Sequence, residues 1–484
     1  MAAIADTTGS DLVIEIFQFT LLAHFSFILR CSILFLFRWR NVKVSPWLNF
    51  LIEFESLVMP TVLCSTILCD HVTLMLILLA VVSLIVLCSI NWHRRDKHAM
   101  MDKKFYHNCR NFIGFTIVSS FRSYVLLTTC ICILAVDLPI FPVRFQKTES
   151  FGFSLMDVGM GMVLFANGLA SNAARDKKIR FGHLIKQFFV LLFLGTLRTV
   201  VLLLLQYPFE VKEYGRHWNF FFTLAMVKMI GDVIASTFHR LYTSAIAGII
   251  TATMVETLLQ RTHLQQYALV DPQYRENGLL SQNREGIISV LGCLSIFLIA
   301  ADVGRLLHRY RRGKLDLRYI AIALFSFTII FKLFSVGLDA VNLPVSRRIA
   351  NAHYVAWISY LSIADIFTLL PVVVLASLFY FRNGLHTNVL IEDFYFLYDG
   401  SLWQAINASG LTYFLLCNAF TGIVKMSTSS VGVGVETSFG ILFCYALGTS
   451  LFARSQFGEL EAARMRQRDG ENPGRQCNEV DAAS

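Results

Sequence analysis

The sequence predicts an all-α fold, a polytopic transmembrane helical bundle of about thirteen spans, and three observations predict it. Apolar residues make up 55% of the 484 positions and charged residues only 15%, whereas soluble domains carry roughly 25% charged residues. The apolar residues cluster in runs of about 18–25, the length that carries a helix across a bilayer. No run shows the two-residue alternation of a membrane β-barrel.

The spans follow in order at about 12–37, 46–66, 70–91, 112–136, 152–172, 183–206 and 218–236, then 241–259, 285–304, 319–339, 355–381, 408–426 and 433–453. His24 and Arg30 interrupt the first. The fourth stops before AVDLPIFPVRFQK (Ala135 to Lys147), where Pro139 and Pro142 forbid further helix. The seventh opens at Trp218, a residue type that anchors helices at the interface. Residues 1–453 read as a single membrane-embedded domain. The polar tail, 454–484, reads as a short helix followed by disorder, with Asn472-Pro473-Gly474 within it. No internal repeat marks a paired transporter architecture. No cleavable signal peptide is expected, because the first segment is too long and lacks a basic start.

Loop charge fixes an expected orientation. With the amino terminus lumenal, the cytosolic segments hold about 26 Lys and Arg, against about 10 on the other side. This asymmetry favours an odd number of spans and a cytosolic carboxy terminus. It also accounts for the net charge of +9 without nucleic acid as a partner. The 11 cysteines are scattered through apolar runs and read as small buried hydrophobes, with no metal-ligand spacing. The Asn407–Ser409 sequon falls at an expected cytosolic edge and should be unmodified.

Ionisable groups in apolar spans are expensive and point to function by default. Three stretches gather them on the expected lumenal side. In AVDLPIFPVRFQK the prolines are expected to turn the chain so that Asp137 and Lys147 come within salt-bridge reach. In SLMDVGMGMVLFANGLASN, Asp157 lies near a helix start, as a cap or a functional carboxylate. Its glycines serve either close helix packing or the approach of an acyl chain. In EYGRHWNFFFTLA, Glu213, Tyr214, Arg216, His217, Trp218 and Asn219 form either an interface anchor or a headgroup-binding rim. Elsewhere, Lys228 and Asp232, at i and i+4, are expected to neutralise each other. Asp302, Asp339 and Asp365 read as caps, partners of cations or cavity-lining groups. Arg347 and Arg348 suit a phosphate or a solvated loop.

The order and spacing of these stretches, with weaker support from SRRIAN (Ser346 to Asn351) and LLCNAFTG (Leu415 to Gly422), resemble the GPI-inositol acyltransferases. That family includes phosphatidylinositol glycan class W and the GPI-anchored wall transfer proteins. The resemblance implies a multi-pass enzyme of the endoplasmic reticulum membrane. It implies transfer of a long acyl chain, usually palmitoyl, from acyl-CoA to the inositol 2-hydroxyl of glucosaminyl-phosphatidylinositol. It implies Asp137 and Lys147 as the catalytic pair with Arg144 as a neighbouring support. No metal and no cofactor beyond the acyl-CoA co-substrate are expected, and no obligate protein partner. The candidates for substrate binding are Arg144, Asp157, His217, Trp218, Asn219, Arg347, Arg348 and Asn418. Departures from the family pattern occur at Met160, Met162, Ala166, Arg216 and the Lys425-Met426 pair, and bear on acyl or headgroup preference.

Acyl transfer to an alcohol needs a base for the hydroxyl, a charge for the oxyanion and a held thioester. Asp137 suits the first and Lys147 the second; no Ser or Cys has an evident base beside it for an acyl-enzyme. A lipid transporter or scramblase is the competing class, although its charges should cluster near the bilayer midplane. A membrane-bound O-acyltransferase with a His and an Asn is a third, and His217 with Asn219 matches it poorly.

Overall fold

The computed structural model describes residues 9–40, 42–89, 103–204, 211–238, 240–269, 278–383, 402–428 and 433–471. Among them there are helices and no strands. The chain folds as α1 (Gly9–Trp39), α2 (Pro46–Cys64), α3 (Val72–Cys88), α4 (Lys103–Ala135), α5 (Leu155–Leu169) and α6 (Phe181–Leu204). Next come a short α7 (Val211–Tyr214), α8 (Phe220–Thr237), α9 (Thr243–Arg261), and the short α10 (Leu264–Leu269) and α11 (Leu279–Gln282). The remainder is α12 (Arg284–Arg311), α13 (Leu317–Ala340), α14 (Ala352–Asn383), α15 (Leu402–Ala408), α16 (Gly410–Thr428) and α17 (Val435–Glu471).

Each of the thirteen expected spans falls on a helix. Eleven helices among the described residues are long and apolar enough to cross a membrane. The other two expected spans are α5, an apolar helix of 15 residues, and α16, of 19. The chain is an all-α, multi-pass membrane protein. Its last helix continues past the expected domain edge at 453 as far as Glu471, while residues 472–484 lie outside the described residues.

Helix α12 is the axis of the bundle. Its apolar window is the most buried of the eleven, and it packs against α4, α5, α8, α9 and α14. Two glycines of α5 explain how a short helix docks there. A Cβ on Gly168 would sit 2.6 Å from the Phe297 carbonyl oxygen of α12, and one on Gly161 would sit 2.7 Å from Ile358 of α14. At these two positions the glycines are there for helix packing. Gly168→Val should therefore cost about 1–3 kcal/mol by overpacking, read as a lower unfolding temperature in detergent. An unchanged temperature would mean that α5 is free to move away from α12.

The charges of the first span are explained by partners. The Arg30 Nη2 lies 2.6 Å from Glu53 Oε1, both fully buried, and Glu53 Oε2 accepts from the Leu402 amide at 2.9 Å. Glu53 stands where α2 widens into one π turn, Phe54–Val58. His24 Nε2 faces Asp365 Oδ1 of α14 at 3.3 Å. Asp302 pairs with Arg305 and accepts from the Ala245 amide at 2.7 Å, which ties α12 to the start of α9. Asp339, more than half exposed, faces His353 at 3.5 Å.

Loop contacts sort the helix ends into two faces. Arg144 bridges Glu15 of α1 and Asp70 before α3, so the start of α1 shares a face with the loop after α4. On the other face, Asp176 after α5 meets Arg309 at the end of α12, and Arg110 of α4 meets Asp316 before α13. These pairs follow the alternation of an up-and-down membrane bundle. The first is the Asp137 face and the second the Asp176 face.

Candidate active site

The Asp137 face is built from the loop that leaves α4. Leu138 N donates to Ala135 O at 2.9 Å, and Pro142 holds an extended conformation before a single 3₁₀ turn, Val143–Phe145. Phe145, 1% exposed, sits edge-on to Phe19 and Phe141 and pins that turn into the core. Arg144 points the other way, to Glu15 at 2.9 Å and Asp70 at 2.6 Å, and so anchors the loop at its outer edge.

The expected Asp137–Lys147 pair is not formed. Asp137 Oδ1 accepts from Lys425 Nζ of α16 at 2.8 Å, and Lys147 Nζ lies 2.6 Å from Glu213 Oε1. The physical reason is the buried Phe145 turn, which lies between the two residues and directs their side chains to different neighbours.

From Lys147 the contacts close a ring. Glu213 Oε1 is 3.3 Å from Arg347 Nη2, and Arg347 Nε donates to Asp157 Oδ1 at 2.7 Å. Asp157 Oδ2 then accepts from the Thr148 amide at 3.1 Å and its hydroxyl at 2.7 Å, one residue from the start. Two cations and two carboxylates balance. Asp157 is fully buried, and Ser154, not Asp157, caps α5 by accepting from the Asp157 amide. Tyr354 OH donates to the Asp157 carbonyl at 2.8 Å. Arg348 bonds Glu285 Oε1 at 3.0 Å and the Glu149 carbonyl at 3.1 Å. Ser346 OH donates to Ser150 O at 2.7 Å. Three sequence stretches and SRRIAN thus meet in one network.

Burial raises the Glu213 carboxyl, but Arg347 and Lys147 outweigh it and hold the group below the usual carboxylate range. For a depressed acid the stabilisation is complete above the unfolded value of 4.5 and is lost as pH falls through the folded one. Unfolding temperature should therefore drop below about pH 4.5, and Glu213→Gln should flatten that limb. An identical acid limb in the variant would show that the ring is not coupled to folding.

Other candidates sit in the scaffold. Asn283 Oδ1 accepts from the His217 amide at 2.8 Å and the Trp218 amide at 2.9 Å, while the His217 ring lies 3.1 Å from Gln282 Oε1. Trp218 Nε1 donates to Thr223 Oγ1 at 2.9 Å. Asn219 caps α8, accepting from Phe221 N at 3.0 Å and donating to Gly195 O at 2.8 Å. Asn418 donates to Phe414 O of its own helix, one turn back. Sequence reasoning named Glu213 in a possible headgroup rim but not as a partner of Lys147, and left Thr148, Glu285 and Lys425 out of the site. Lys425, a cation near the end of an apolar helix, carried the signal that would have found it.

Comparisons with known proteins identify the family. The family model described as GWT1 matches residues 1–455. The chain is similar to GPI-anchored wall transfer protein 1 of Aspergillus fumigatus, 32% identical over 355 residues, covering 68% of this chain and 69% of that protein. The same-named protein of Schizosaccharomyces pombe is 30% identical over 380 residues, covering 74% and 77%. The phosphatidylinositol-glycan biosynthesis class W protein of Dictyostelium discoideum is 30% identical over 381 residues, covering 69% and 72%. With that family model matching residues 1–455 and these relatives at 30–32% identity, the chain belongs to the GWT1 family.

Proposed function

We propose that this chain is the inositol acyltransferase of GPI-anchor biosynthesis, moving a palmitoyl or similar long acyl group from acyl-CoA to the 2-hydroxyl of inositol in glucosaminyl-phosphatidylinositol. The single observation that carries the reading is the joining of the resembling stretches through Lys147, Glu213, Arg347 and Asp157 on the membrane face that also carries Asp137, where a lipid headgroup arrives. In this scheme Asp137 takes the proton of the inositol hydroxyl through Oδ2, the oxygen that Lys425 leaves to it. The alkoxide oxygen bonds to the thioester carbon, and the oxyanion draws on a proton of Lys147 not engaged by Glu213. The C–S bond then breaks, and the CoA thiolate leaves with the proton from Asp137.

Arg347 and Arg348 have their donors turned to Asp157, Glu213 and Glu285, so their first role is to hold the site in shape. The loop charges support a lumenal Asp137 face in an endoplasmic reticulum protein, with the amino terminus in the lumen and the carboxy terminus in the cytosol. The test gives microsomes containing this protein alone labelled palmitoyl-CoA and glucosaminyl-phosphatidylinositol. Inositol-acylated product is expected; its absence with both substrates at saturation sinks the reading and returns weight to a lipid transporter.

A further inference from the structure

Acyl transfer through Asp137 uses no serine, yet the structure joins one to a base. Ser335 of α13 and His353 of α14 are 18 residues apart and both buried, and the Ser335 Oγ lies 3.0 Å from His353 Nε2. A hydroxyl within a helix commonly donates to the carbonyl one turn back, as Thr328 of the same helix does to Leu324 O. Ser335 turns across to α14 instead.

The other side of the ring fixes the tautomer. His353 Nδ1 is 2.5 Å from the Leu343 carbonyl oxygen, which can only accept, so Nδ1 carries the hydrogen and Nε2 is bare. Ser335 is then the donor and Nε2 the acceptor, the arrangement of a nucleophile with its base. The turn between the helices builds it. Leu343 N donates to Leu338 O at 3.0 Å, and Asn342, at φ 56°, supplies the left-handed residue that reverses the chain. Phe153 packs edge-on against the imidazole, with the ring centroids 6.1 Å apart.

Two charges complete the group. Asp339 Oδ1, on a side chain more than half exposed, is 3.5 Å from His353 Nε2, and so stabilises the imidazolium once Nε2 has taken a proton. Lys332 stands three residues before Ser335, a neighbour on the same helix face. Its Nζ lies over the Tyr360 ring, 4.9 Å from the centroid, and among the described residues no carboxylate is at salt-bridge distance from it. A lysine without an acid in an apolar span is costly and points to function. One turn from a nucleophilic hydroxyl, it is the charge that an oxyanion needs. Leu333 and Val336, both exposed on α13, put the acyl chains of the bilayer beside this turn.

We propose that Ser335 and His353 form a second catalytic site, a serine acyl hydrolase for long-chain esters held in the membrane, which uses neither Asp137 nor Lys147. Nε2 takes the Ser335 proton as Oγ bonds to the ester carbonyl carbon, and the oxyanion faces Lys332. The bond from that carbon to the alcohol oxygen breaks, and the alcohol leaves with the proton from Nε2. A water then gives a proton to Nε2 while its oxygen bonds to the acyl carbon. Ser335 Oγ leaves, takes that proton back and releases a fatty acid.

The test uses the purified full-length protein in a maltoside detergent and two probes. One is a fluorescent alkyl fluorophosphonate, which labels activated serines; the other is 4-nitrophenyl palmitate, whose hydrolysis releases a coloured phenol. The intact chain should carry the adduct on Ser335, mapped by mass spectrometry, and should hydrolyse the ester. Ser335→Ala should abolish both signals. His353→Gln should slow hydrolysis by about 10²–10⁴-fold, and Lys332→Met by about 10²–10³-fold, in kcat rather than KM. A hydrogen bond that only ties α13 to α14 would give neither signal. No adduct on Ser335, or hydrolysis that Ser335→Ala leaves unchanged, overturns the proposal. The adduct is read on the intact chain, so this outcome does not depend on any variant folding. Inositol acylation in microsomes, which Ser335→Ala should leave intact, tests the acyl-transfer reading separately.

Discussion

Asp137→Asn should lower acyl transfer by about 10²–10⁴-fold, the span that a positioned base contributes, while the protein reaches the membrane at its normal level. Asparagine keeps the shape of the side chain and an oxygen for Lys425, but it cannot take a proton. The residue is partly exposed and pairs with a partly exposed lysine, so folding has little stake in its charge. That separation makes the variant informative. Lys425→Met supplies the contrast: it removes the contact at Oδ1 and leaves the base in place, so its loss should be much smaller. The measurement is product formed per unit of immunodetected protein in microsomes. If Asp137→Asn keeps activity within a few-fold of the intact chain, the base lies elsewhere and the scheme built on Asp137 fails.

What could be read from the sequence divides along a physical line. Span positions were legible because crossing a bilayer demands about 20 apolar residues wherever the helix sits, and each expected run became a helix. The gathering of the site stretches on one face was legible too, since alternation of spans assigns every loop to a side. Partners were not. Asp137 meets a lysine 288 residues away, and Arg347 an aspartate 190 residues away. Such pairings depend on how helices rotate and pack, which local spacing does not encode. The separation of Lys147 from Asp137 follows from one buried phenylalanine, Phe145, whose burial against Phe19 only the packing of α1 reveals. For Lys228 and Asp232, which make no direct pair, the i,i+4 rule describes an isolated helix, and a loop amide from Asn172 competes for the carboxylate. Arg144, Arg347 and Arg348 were named from the sequence, but the acids that occupy them come from α1, the turn before α3, α5, α7 and α12.

The ring has a consequence of its own for stability. Arg347→Met should destabilise the protein by about 3–5 kcal/mol, the cost of breaking a buried ion pair by removing one partner. It is the one cation that touches both acids of the ring, through Nε to Asp157 and Nη2 to Glu213. Without it the Asp157 carboxylate, fully buried, keeps the amide and hydroxyl of Thr148 as its donors. Lysine should rescue poorly, because a single ammonium cannot reproduce two donors in a fixed fork. Neutralising the abandoned acid should help: Arg347→Met combined with Asp157→Asn should be more stable than Arg347→Met alone, since the second change removes the stranded charge. Unfolding temperature in detergent, followed by loss of the monodisperse peak on heating, reads both. A double variant no more stable than the single one would mean that Asp157 is neutral in the folded protein and that the ring is held by hydrogen bonds rather than by charge. Lysine-like behaviour at position 347 would point the same way, because a hydrogen-bonded ring needs donors but not a guanidinium.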